Sequence, residues 1–223
     1  MAKTFAQYID HTLLKQDATK QMIEQLIAEA KKYSFKAVCV HPSWVTFCAE
    51  HLRHTNIAVC TVIGFPLGAG TTATKVFAAK EAIANGATEI DMVINIGRLK
   101  SNDVNYIENE LEQLIAAIKP KAQLKVIIET ALLTKEEKIT VLQIAKQCGV
   151  HFVKTSTGFA SGGATTEDVQ LMKQIVGQTI QVKASGGIRT FADMQKMIKA
   201  GATRIGASAG VEIMKEIEQK LTK

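Results

Sequence analysis

Four charged residues stand in runs of sequence that otherwise have the apolar character of buried β-strands. They lie within or at the end of these runs and are Asp91, Lys154, Lys183 and Glu129. Ionised groups in a protein interior are costly unless an opposite charge compensates them. One interpretation is therefore a structural ion pair between Asp91 and one lysine. The other is catalysis, because two lysines with one aspartate leave excess positive charge, and neighbouring like charges shift pKa values. The excess charge favours catalysis.

The alternation of side chains along these strands supports a shared polar side. Successive side chains point to opposite faces of a strand, so Asp91 shares a face with Asn95, and Lys125 shares a face with Glu129. If these faces point inward, the polar residues cluster toward the carboxyl ends of the strands. In α/β barrels the active site lies at that end.

Glycine-rich turns follow the last two candidate strands. Residues 185–190 read Ser-Gly-Gly-Ile-Arg-Thr, and residues 206–210 read Gly-Ala-Ser-Ala-Gly. Loops after strands seven and eight of a barrel commonly bind phosphate through backbone N–H groups and a helix N-terminus. The hydroxyls of residues 155–157 follow strand six and could add donors. Tight βα turns also favour glycine without any ligand, but two such turns together with hydroxyls predict a phosphate site.

The elements that would position these residues alternate from end to end of the chain. Eight β-rich runs occur at residues 7–10, 37–40, 57–62, 89–94, 124–129, 151–154, 181–184 and 203–206, with amphipathic helical stretches between them. The mean repeat is about 28 residues, the length of one βα unit with short loops. The pattern predicts the α/β class and a single-domain (β/α)8 TIM barrel over residues 1–223. An open doubly wound sheet is the alternative, but no Gly-x-Gly-x-x-Gly turn follows the first strands.

Composition and charge restrict the class of protein further. The 223 residues include 27 lysines and arginines against 21 acidic residues, which gives a net charge of +6. Because the lysines are spread along the chain, an anionic small molecule is favoured over a nucleic acid. No apolar run approaches a membrane span, and the first residues do not resemble a secretory signal. The four cysteines form no Cys-x-x-Cys pair, so we expect a cytoplasmic protein with reduced thiols.

One group of residues could suggest a zinc site. His41, Cys48, His51 and His54 lie close together in sequence, and the last three are spaced by three residues on a candidate helix. No acidic residue completes a familiar ligand pattern. We therefore favour surface histidines on a helix and expect no bound metal.

Six segments in order along the chain carry more specific patterns. They are residues 8–14, 59–68, 89–95, 125–130, 152–159 and 182–189, and the most distinctive stretches are Phe-Val-Lys-Thr-Ser-Thr-Gly and Lys-Ala-Ser-Gly-Gly-Ile-Arg. Together they resemble the deoxyribose-phosphate aldolase family over nearly the whole chain. The resemblance implies a class I aldolase without metal or cofactor. Its expected substrates are 2-deoxyribose 5-phosphate, glyceraldehyde 3-phosphate and acetaldehyde, and a homodimer is the candidate assembly.

The resemblance also implies roles for individual residues. Lys154 matches the Schiff-base lysine, Lys183 the second active-site lysine, and Asp91 the proton-relay carboxylate. The implied substrate-binding residues are Asp10 and Thr12 near the sugar hydroxyls, Thr157, Gly186, Gly187 and Ser208 at the phosphate, and also Gly158 and Gly206.

Two positions depart from the pattern of some relatives. Phe159 stands where some carry lysine, and Ala209 stands where some carry a second serine, so we expect a weaker or differently built phosphate grip. The last residues, 218–223, contain no tyrosine, whereas some longer relatives end in a tyrosine-bearing tail. A tyrosine lid is therefore not expected.

Two other function classes remain as alternatives. A phosphate-binding barrel isomerase or synthase would use Asp91 and Glu129 as its acid–base pair and the lysines as anion clamps, and it would form no covalent imine. A basic nucleic-acid-binding module would show binding that depends steeply on salt. The even spread of charge argues against the second alternative.

Overall fold

The protein, described here from a computed structural model covering residues 2–221, is a closed barrel of eight parallel strands. The strands are β1 Ile9–Leu13, β2 Ala37–Val40, β3 Ala58–Ile63, β4 Glu89–Val93, β5 Gln123–Ile127, β6 Phe152–Lys154, β7 Gln181–Ser185 and β8 Arg204–Ala207. Each strand pairs with its neighbour in chain order, and β8 closes on β1 with Gly206 opposite Asp10. The predicted barrel is confirmed, and the open doubly wound sheet is excluded.

Helices alternate with the strands. They are α1 Ala2–Ala6, α2 Lys20–Tyr33, α3 Val45–Leu52, α4 Thr72–Ala84, α5 Ile96–Lys100, α6 Val104–Ile118, α7 Lys135–Cys148, α8 Thr166–Val176, α9 Phe191–Ala200 and α10 Gly210–Leu221. Local signals set several of their ends. Thr165 caps the start of α8 by accepting a hydrogen bond from the Asp168 N–H. Gly149, with a φ of 70°, ends α7 in the left-handed conformation.

Two predicted strands differ from the observed ones by two or more residues at one or both ends, whereas the others agree to within one residue. The first was expected at residues 7–10, but β1 begins at Ile9, since residues 7 and 8 form the turn that follows α1. The fifth was expected to end at Glu129, but β5 ends at Ile127. Glu129 adopts a left-handed backbone, with a φ of 53°, and precedes a short 3₁₀ helix at Thr130–Leu132. It therefore belongs to the loop and not to the strand.

The faces of the strands divide the molecule into two layers. Leu124, Val126 and Ile128 point outward and join the apolar core between the barrel and the helices. Lys125 alternates with them and points inward, where it contacts Asp91. The barrel interior on the side of β2 and β3 is instead lined by small apolar residues and thiols, namely Ala37, Cys39, Cys60 and Val62.

A buried ion pair outside the barrel joins α4 and α6 to the end of β4. Lys75 Nζ lies 2.6 Å from Glu110 Oε1 and donates a hydrogen bond to the Val93 carbonyl at 2.8 Å. The other Glu110 oxygen accepts from the Asn95 N–H at 3.1 Å. The pair therefore fixes the exit of the strand that carries Asp91.

No helix among residues 2–221 is long and apolar enough to cross a membrane. The assignment of residues 1–223 to one domain stays a prediction, and its positions 1, 222 and 223 lie outside the described residues. The same holds for the last two residues of the tail, 222 and 223, on which the expected lack of a tyrosine lid partly rests.

Candidate active site

Seven buried charged side chains meet inside the barrel, and we call this set the charged layer. Its members are Asp10 of β1, Glu89 and Asp91 of β4, Lys125 of β5, Lys154 of β6, Lys183 of β7 and Arg204 of β8. They come from six different strands, and none is more than 5% exposed. Closure of the barrel is what brings them together.

Asp91 is the centre of the charged layer. Its Oδ2 atom lies 2.7 Å from Lys154 Nζ and 2.8 Å from Lys183 Nζ, and its Oδ1 atom lies 2.8 Å from Lys125 Nζ. The structure thus brings together the two lysines and the aspartate expected from the sequence. The expected alternative of a single structural ion pair does not describe an aspartate shared by three lysines.

Asp10 and Glu89 complete the layer beneath Asp91. Asp10 Oδ2 lies 2.5 Å from Lys183 Nζ, and Asp10 Oδ1 lies 2.7 Å from the Arg204 guanidinium. Glu89 Oε2 contacts Lys125 Nζ at 2.7 Å and Arg204 at 3.0 Å. With four cations and three carboxylates ionised, the layer has one excess positive charge.

The electrostatics of the layer keep its central groups charged. Burial raises the pKa of Asp91, but the positive charges of Lys125, Lys154 and Lys183 outweigh it and hold the pKa well below its usual range. Burial likewise lowers the pKa of Lys183, but Asp10 and Asp91 outweigh it and raise the pKa above its ordinary value. Lys183 is therefore a permanent cation beside Lys154 at neutral pH.

Two thiols border the charged layer. Cys39 of β2 and Cys60 of β3 are paired in register and are fully buried. Cys60 Sγ donates to Asp91 Oδ1 at 3.1 Å and accepts from Lys125 Nζ at 3.1 Å. A hydrogen bond with Cys60 lowers the pKa of the Cys39 thiol, whereas burial raises that of Cys60.

A cavity of about 320 Å³ opens at the carboxyl ends of the strands and reaches Lys154. It is lined by Thr12, Thr157, Gly158, Gly186, Gly187, Gly206 and Ser208, all of which the sequence assigned to substrate binding. Gly206 also makes room for a catalytic candidate, because a Cβ at this position would lie 3.0 Å from Lys183 Cε. Ser208 lies just before α10, so the cavity has a helix N-terminus at its edge.

Three predicted substrate residues, Thr157, Asp10 and Thr12, have hydrogen-bond or ion-pair partners within the protein. The Thr157 hydroxyl donates to Glu129 Oε2 at 2.5 Å and accepts from the Phe159 N–H at 3.0 Å, so its proton is not directed at the cavity. Asp10 is bound by Lys183 and Arg204 within the charged layer. Thr12 remains half-buried at the cavity wall and donates to the Asp10 carbonyl at 2.8 Å.

Comparison with known proteins decides the family. The model of the DeoC/LacD family of aldolases matches residues 4–220. The chain belongs to this aldolase family. A deoxyribose-phosphate aldolase of Staphylococcus haemolyticus is 58% identical over 214 residues, which are 96% of this chain and 97% of the relative. One of Listeria welshimeri is 58% identical over 211 residues, which are 95% of each chain.

Solved structures agree with the assignment of this chain to the aldolase family. A crystal structure described as a putative deoxyribose-phosphate aldolase from Coccidioides immitis superposes with a TM-score of 0.95 at 43% identity, covering 98% of this chain and 87% of the other. The deoxyribose phosphate aldolase of Aeropyrum pernix, described as having a unique tetrameric structure, gives 0.91 at 29% identity, covering 99% and 93%. The sequence resemblance is thereby confirmed.

Sequence reasoning left out several residues of the aldolase site. Glu89 and Arg204 fell within predicted strands and were given no role, and Lys125 was noted for its parity without a role. Parity places Glu89 on the inward face with Asp91, but which inward residues meet depends on the stagger between strands. Lys15 and Arg189 also line the cavity and add exposed positive charge near the glycine turns.

The departures from relatives have structural counterparts at the cavity. Phe159 lines the wall with its ring 5.3 Å from that of Phe65, in an edge-to-face arrangement, and is 57% exposed. An apolar ring therefore stands at the position where the resemblance implied a cation in some members of the family. Ala209 is half-buried between Ser208 and the first residue of α10 and offers no hydroxyl.

The isomerase or synthase hypothesis and the zinc hypothesis both rest on residues that have other partners in the structure. Glu129 binds the N–H and hydroxyl of Thr157, while Asp91 is bound by lysines, so the two carboxylates serve different partners. His41 Nε2 lies 3.0 Å from the Leu14 carbonyl oxygen, and His51 Nδ1 lies 2.8 Å from that of Phe47. Cys48 is buried in the apolar core.

Proposed function

We propose that this aldolase cleaves 2-deoxyribose 5-phosphate reversibly to glyceraldehyde 3-phosphate and acetaldehyde through a Schiff base on Lys154. The observation that carries the proposal is the placement of Lys154, a buried amine at the inner end of the cavity, 2.7 Å from a carboxylate that a second lysine also contacts. Relatives 58% identical over nearly the whole chain carry the name deoxyribose-phosphate aldolase.

The first step is addition of the neutral Lys154 amine to the open-chain aldehyde at C1. Loss of water then gives an iminium ion, which can accept an electron pair. Lys183, a permanent cation, contacts the same oxygen of Asp91 as this amine and therefore lies beside it throughout the step.

The second step breaks the C2–C3 bond, and its electron pair moves into the iminium to form an enamine. The hydroxyl on C3 must lose its proton as the new aldehyde forms. Asp91 Oδ2 is the acceptor, because it is the oxygen that faces both Lys154 and Lys183. Lys183 donates a hydrogen bond to the same oxygen and so orients it. Glyceraldehyde 3-phosphate leaves, the enamine is protonated, and hydrolysis releases acetaldehyde.

The phosphate group binds at the turns after β7 and β8. Gly186 and Gly187, with φ of 90° and 81°, line the cavity and are the candidates to bind the phosphate through backbone N–H groups, and Ser208 adds its hydroxyl beside the start of α10. Gly158 and Gly206 complete the wall, whereas Thr157 offers the phosphate no free donor, because its N–H and its hydroxyl are both bound to Glu129. Thr12 faces the sugar hydroxyls, and Asp10 acts by holding Lys183.

Several further expectations stay predictions. They are a cytoplasmic location, a homodimer, substrates limited to small sugar phosphates and aldehydes, and a reaction that needs no metal or cofactor. A tetramer is described for the Aeropyrum pernix relative, and that oligomeric state is a property of the relative.

Borohydride trapping tests the proposed Schiff base. Incubation with acetaldehyde and borohydride should add the mass of one ethyl group to the peptide containing Lys154 and inactivate the protein. Lys154→Ala should lose both the label and the activity. Lys15→Ala is the matched control, because Lys15 lines the same cavity, and it should keep the label. Stoichiometric labelling that persists in Lys154→Ala would refute the role of Lys154.

A further inference from the structure

Cys39 and Cys60 have no part in the proposed aldolase chemistry, yet they lie against its central carboxylate. Their strands pair so that the two residues are directly opposite, and both side chains are fully buried. One sulfur from each and one oxygen of Asp91 all lie within 4.8 Å of one another. Cys60 Sγ is 3.1 Å from Asp91 Oδ1.

We propose that Cys39, Cys60 and Asp91 form a binding site for one thiophilic divalent cation, Zn²⁺ or Cd²⁺, and that its occupation stops the aldolase reaction. Two sulfurs and one carboxylate oxygen match the ligand preference of these ions. In a tetrahedral site with Zn–S of about 2.3 Å and Zn–O of about 2.0 Å, the ligand atoms lie about 3.5–3.8 Å apart. Shifts of about 1 Å or less bring the three atoms to these separations, and a water molecule takes the fourth position.

The charge of the site permits this exchange. Each thiol gives up its proton to solvent as the ion binds, so two protons leave when a dication enters. The net charge of the interior is therefore unchanged, and the four cations of the charged layer meet no additional positive charge. The bonds formed are two metal–sulfur bonds and one metal–oxygen bond, and no oxidation or reduction occurs.

Lys125 shows how the layer can accommodate the ion. Its ammonium group contacts both Cys60 Sγ, at 3.1 Å, and Asp91 Oδ1, at 2.8 Å. The structure therefore already accepts a positive charge beside these two atoms. When an ion takes that place, Lys125 keeps Glu89 at 2.7 Å and Asp10 at 3.7 Å as partners. No charged group is left without a counter-ion.

A second ligand set shares Cys60 and is less suitable. Asp10, Cys60 and Glu89 also bring one ligand atom each within 4.8 Å of one another. That set offers only one sulfur, and its two carboxylates are bound by Arg204 at 2.7 and 3.0 Å. A thiophilic ion therefore favours the set with two thiols.

Inhibition follows from the position of Asp91. An ion bound at Asp91 Oδ1 draws electron density from the carboxylate, so Oδ2, which keeps its contacts with Lys154 and Lys183, becomes a weaker base for the proton of the C3 hydroxyl. Lys154 lines the cavity and contacts Asp91 at 2.7 Å, so the metal site adjoins the space that the substrate occupies. The loss of activity rests on the proposed function, whereas binding of the ion does not.

A cadmium titration tests the site, with ultraviolet absorbance of the cadmium–thiolate bonds and aldolase rate measured in parallel on the reduced full chain. We expect one Cd²⁺ per chain, the absorbance of two thiolates, a rate that falls with the same midpoint, and recovery on adding EDTA. Cys39→Ala and Cys60→Ala should each weaken binding by about tenfold or more. Cys148→Ala, which alters a half-buried thiol next to the Glu108 carbonyl, is the matched control and should behave as the parent.

Each outcome has a defined meaning. Rates are compared with the metal-free rate of the same variant, and Cys39→Ser and Cys60→Ser replace any alanine variant that fails to fold. Undiminished binding in Cys39→Ala together with its loss in Cys60→Ala would overturn the proposed site in favour of Asp10, Cys60 and Glu89. Absence of the thiolate absorbance in the parent would overturn it outright. Binding at the two thiols with an unchanged rate would keep the metal site but refute the inhibition and the proposed role of Asp91.

Discussion

Removal of the positive charge at Lys183 should move imine formation on Lys154 to higher pH. The two amines contact the same oxygen of Asp91, at 2.7 and 2.8 Å, so they lie at most 5.5 Å apart. Asp10 and Asp91 raise the pKa of Lys183 despite the opposing effect of burial, so Lys183 is charged throughout the working range. The positive charge of Lys183 opposes a positive charge on Lys154, and Lys183→Leu removes this repulsion.

The size of the effect follows from Coulomb's law. Two unit charges about 5.5 Å apart interact by about 3 kcal/mol at an effective dielectric constant of about 20. At about 1.4 kcal/mol per pH unit, this is a shift of about 2 pH units in the midpoint of the pH–rate profile. The sign is upward, because loss of a cation favours protonation of the remaining amine. Below the midpoint, imine formation in Lys183→Leu should therefore be about 100-fold slower than in the parent at the same pH, and raising the pH by about 2 units should restore it.

The assay is the rate of borohydride-trapped ethylation of Lys154 by acetaldehyde across this pH range, followed by mass spectrometry. Lys183→Arg is the control, because it keeps the charge and should leave the midpoint within about half a pH unit of the parent. Turnover of Lys183→Leu should stay low even at high pH, since the relay is also damaged. A Lys183→Leu profile that superimposes on the parent profile would refute the reasoning and leave burial alone to activate Lys154.

Three further predictions concern the phosphate site, metals and stability. Ser208→Asp should raise KM for the phosphorylated sugar by about tenfold or more, because the carboxylate repels the phosphate and replaces a hydrogen bond to it. Ser208→Asn and unphosphorylated deoxyribose are the controls. Equal losses on both sugars would mean that the turn has only a structural role. Exhaustive EDTA treatment should leave kcat unchanged, because the iminium takes the part of a Lewis acid; turnover that falls and returns with added metal would contradict this. Lys75→Met should lower the free energy of unfolding in urea by about 3–5 kcal/mol, because Glu110 is left charged and buried, and Lys75→Met/Glu110→Leu should recover most of the loss.

The repeat of the fold could be predicted from the sequence because parallel strands buried on both sides are short apolar runs. Seven of the eight predicted strands overlap the observed ones closely, from Ala37–Val40 to Arg204–Ala207. The first is displaced because its run includes residues 7 and 8. Their alternation of a polar and an aromatic side chain is typical of a strand, but their backbone forms a turn. Glu129 shows a second limit, since a left-handed glutamate after a strand has no local sequence signal.

The site was predictable where a charge interrupts an apolar run, as at Asp91 and Lys154. It was less so at Arg204 and Glu89, whose positions at strand starts are also typical of solvent-exposed ends. Their burial depends on the tilt and stagger of a closed barrel, which a single strand does not encode. The hydroxyl of Thr157 was assigned to phosphate from the family resemblance and from its position after strand six, and only the structure shows that Glu129 binds it.

The closure of β8 on β1 has a consequence for the order in which the protein can mature. Asp10 and its partner Arg204 are separated by 194 residues, and Asp10 and Lys183 by 173. During synthesis, Asp10 therefore lacks Lys183 until β7 has been made and Arg204 until β8 has been made. Until then β1 also keeps an unpaired edge, and burial of the Asp10 carboxylate without these cations is unfavourable. Barrel closure and full charge compensation of Asp10 are thus one late event, because a nascent chain shorter than about 204 residues lacks both the β8 partner of β1 and the guanidinium that contacts Asp10.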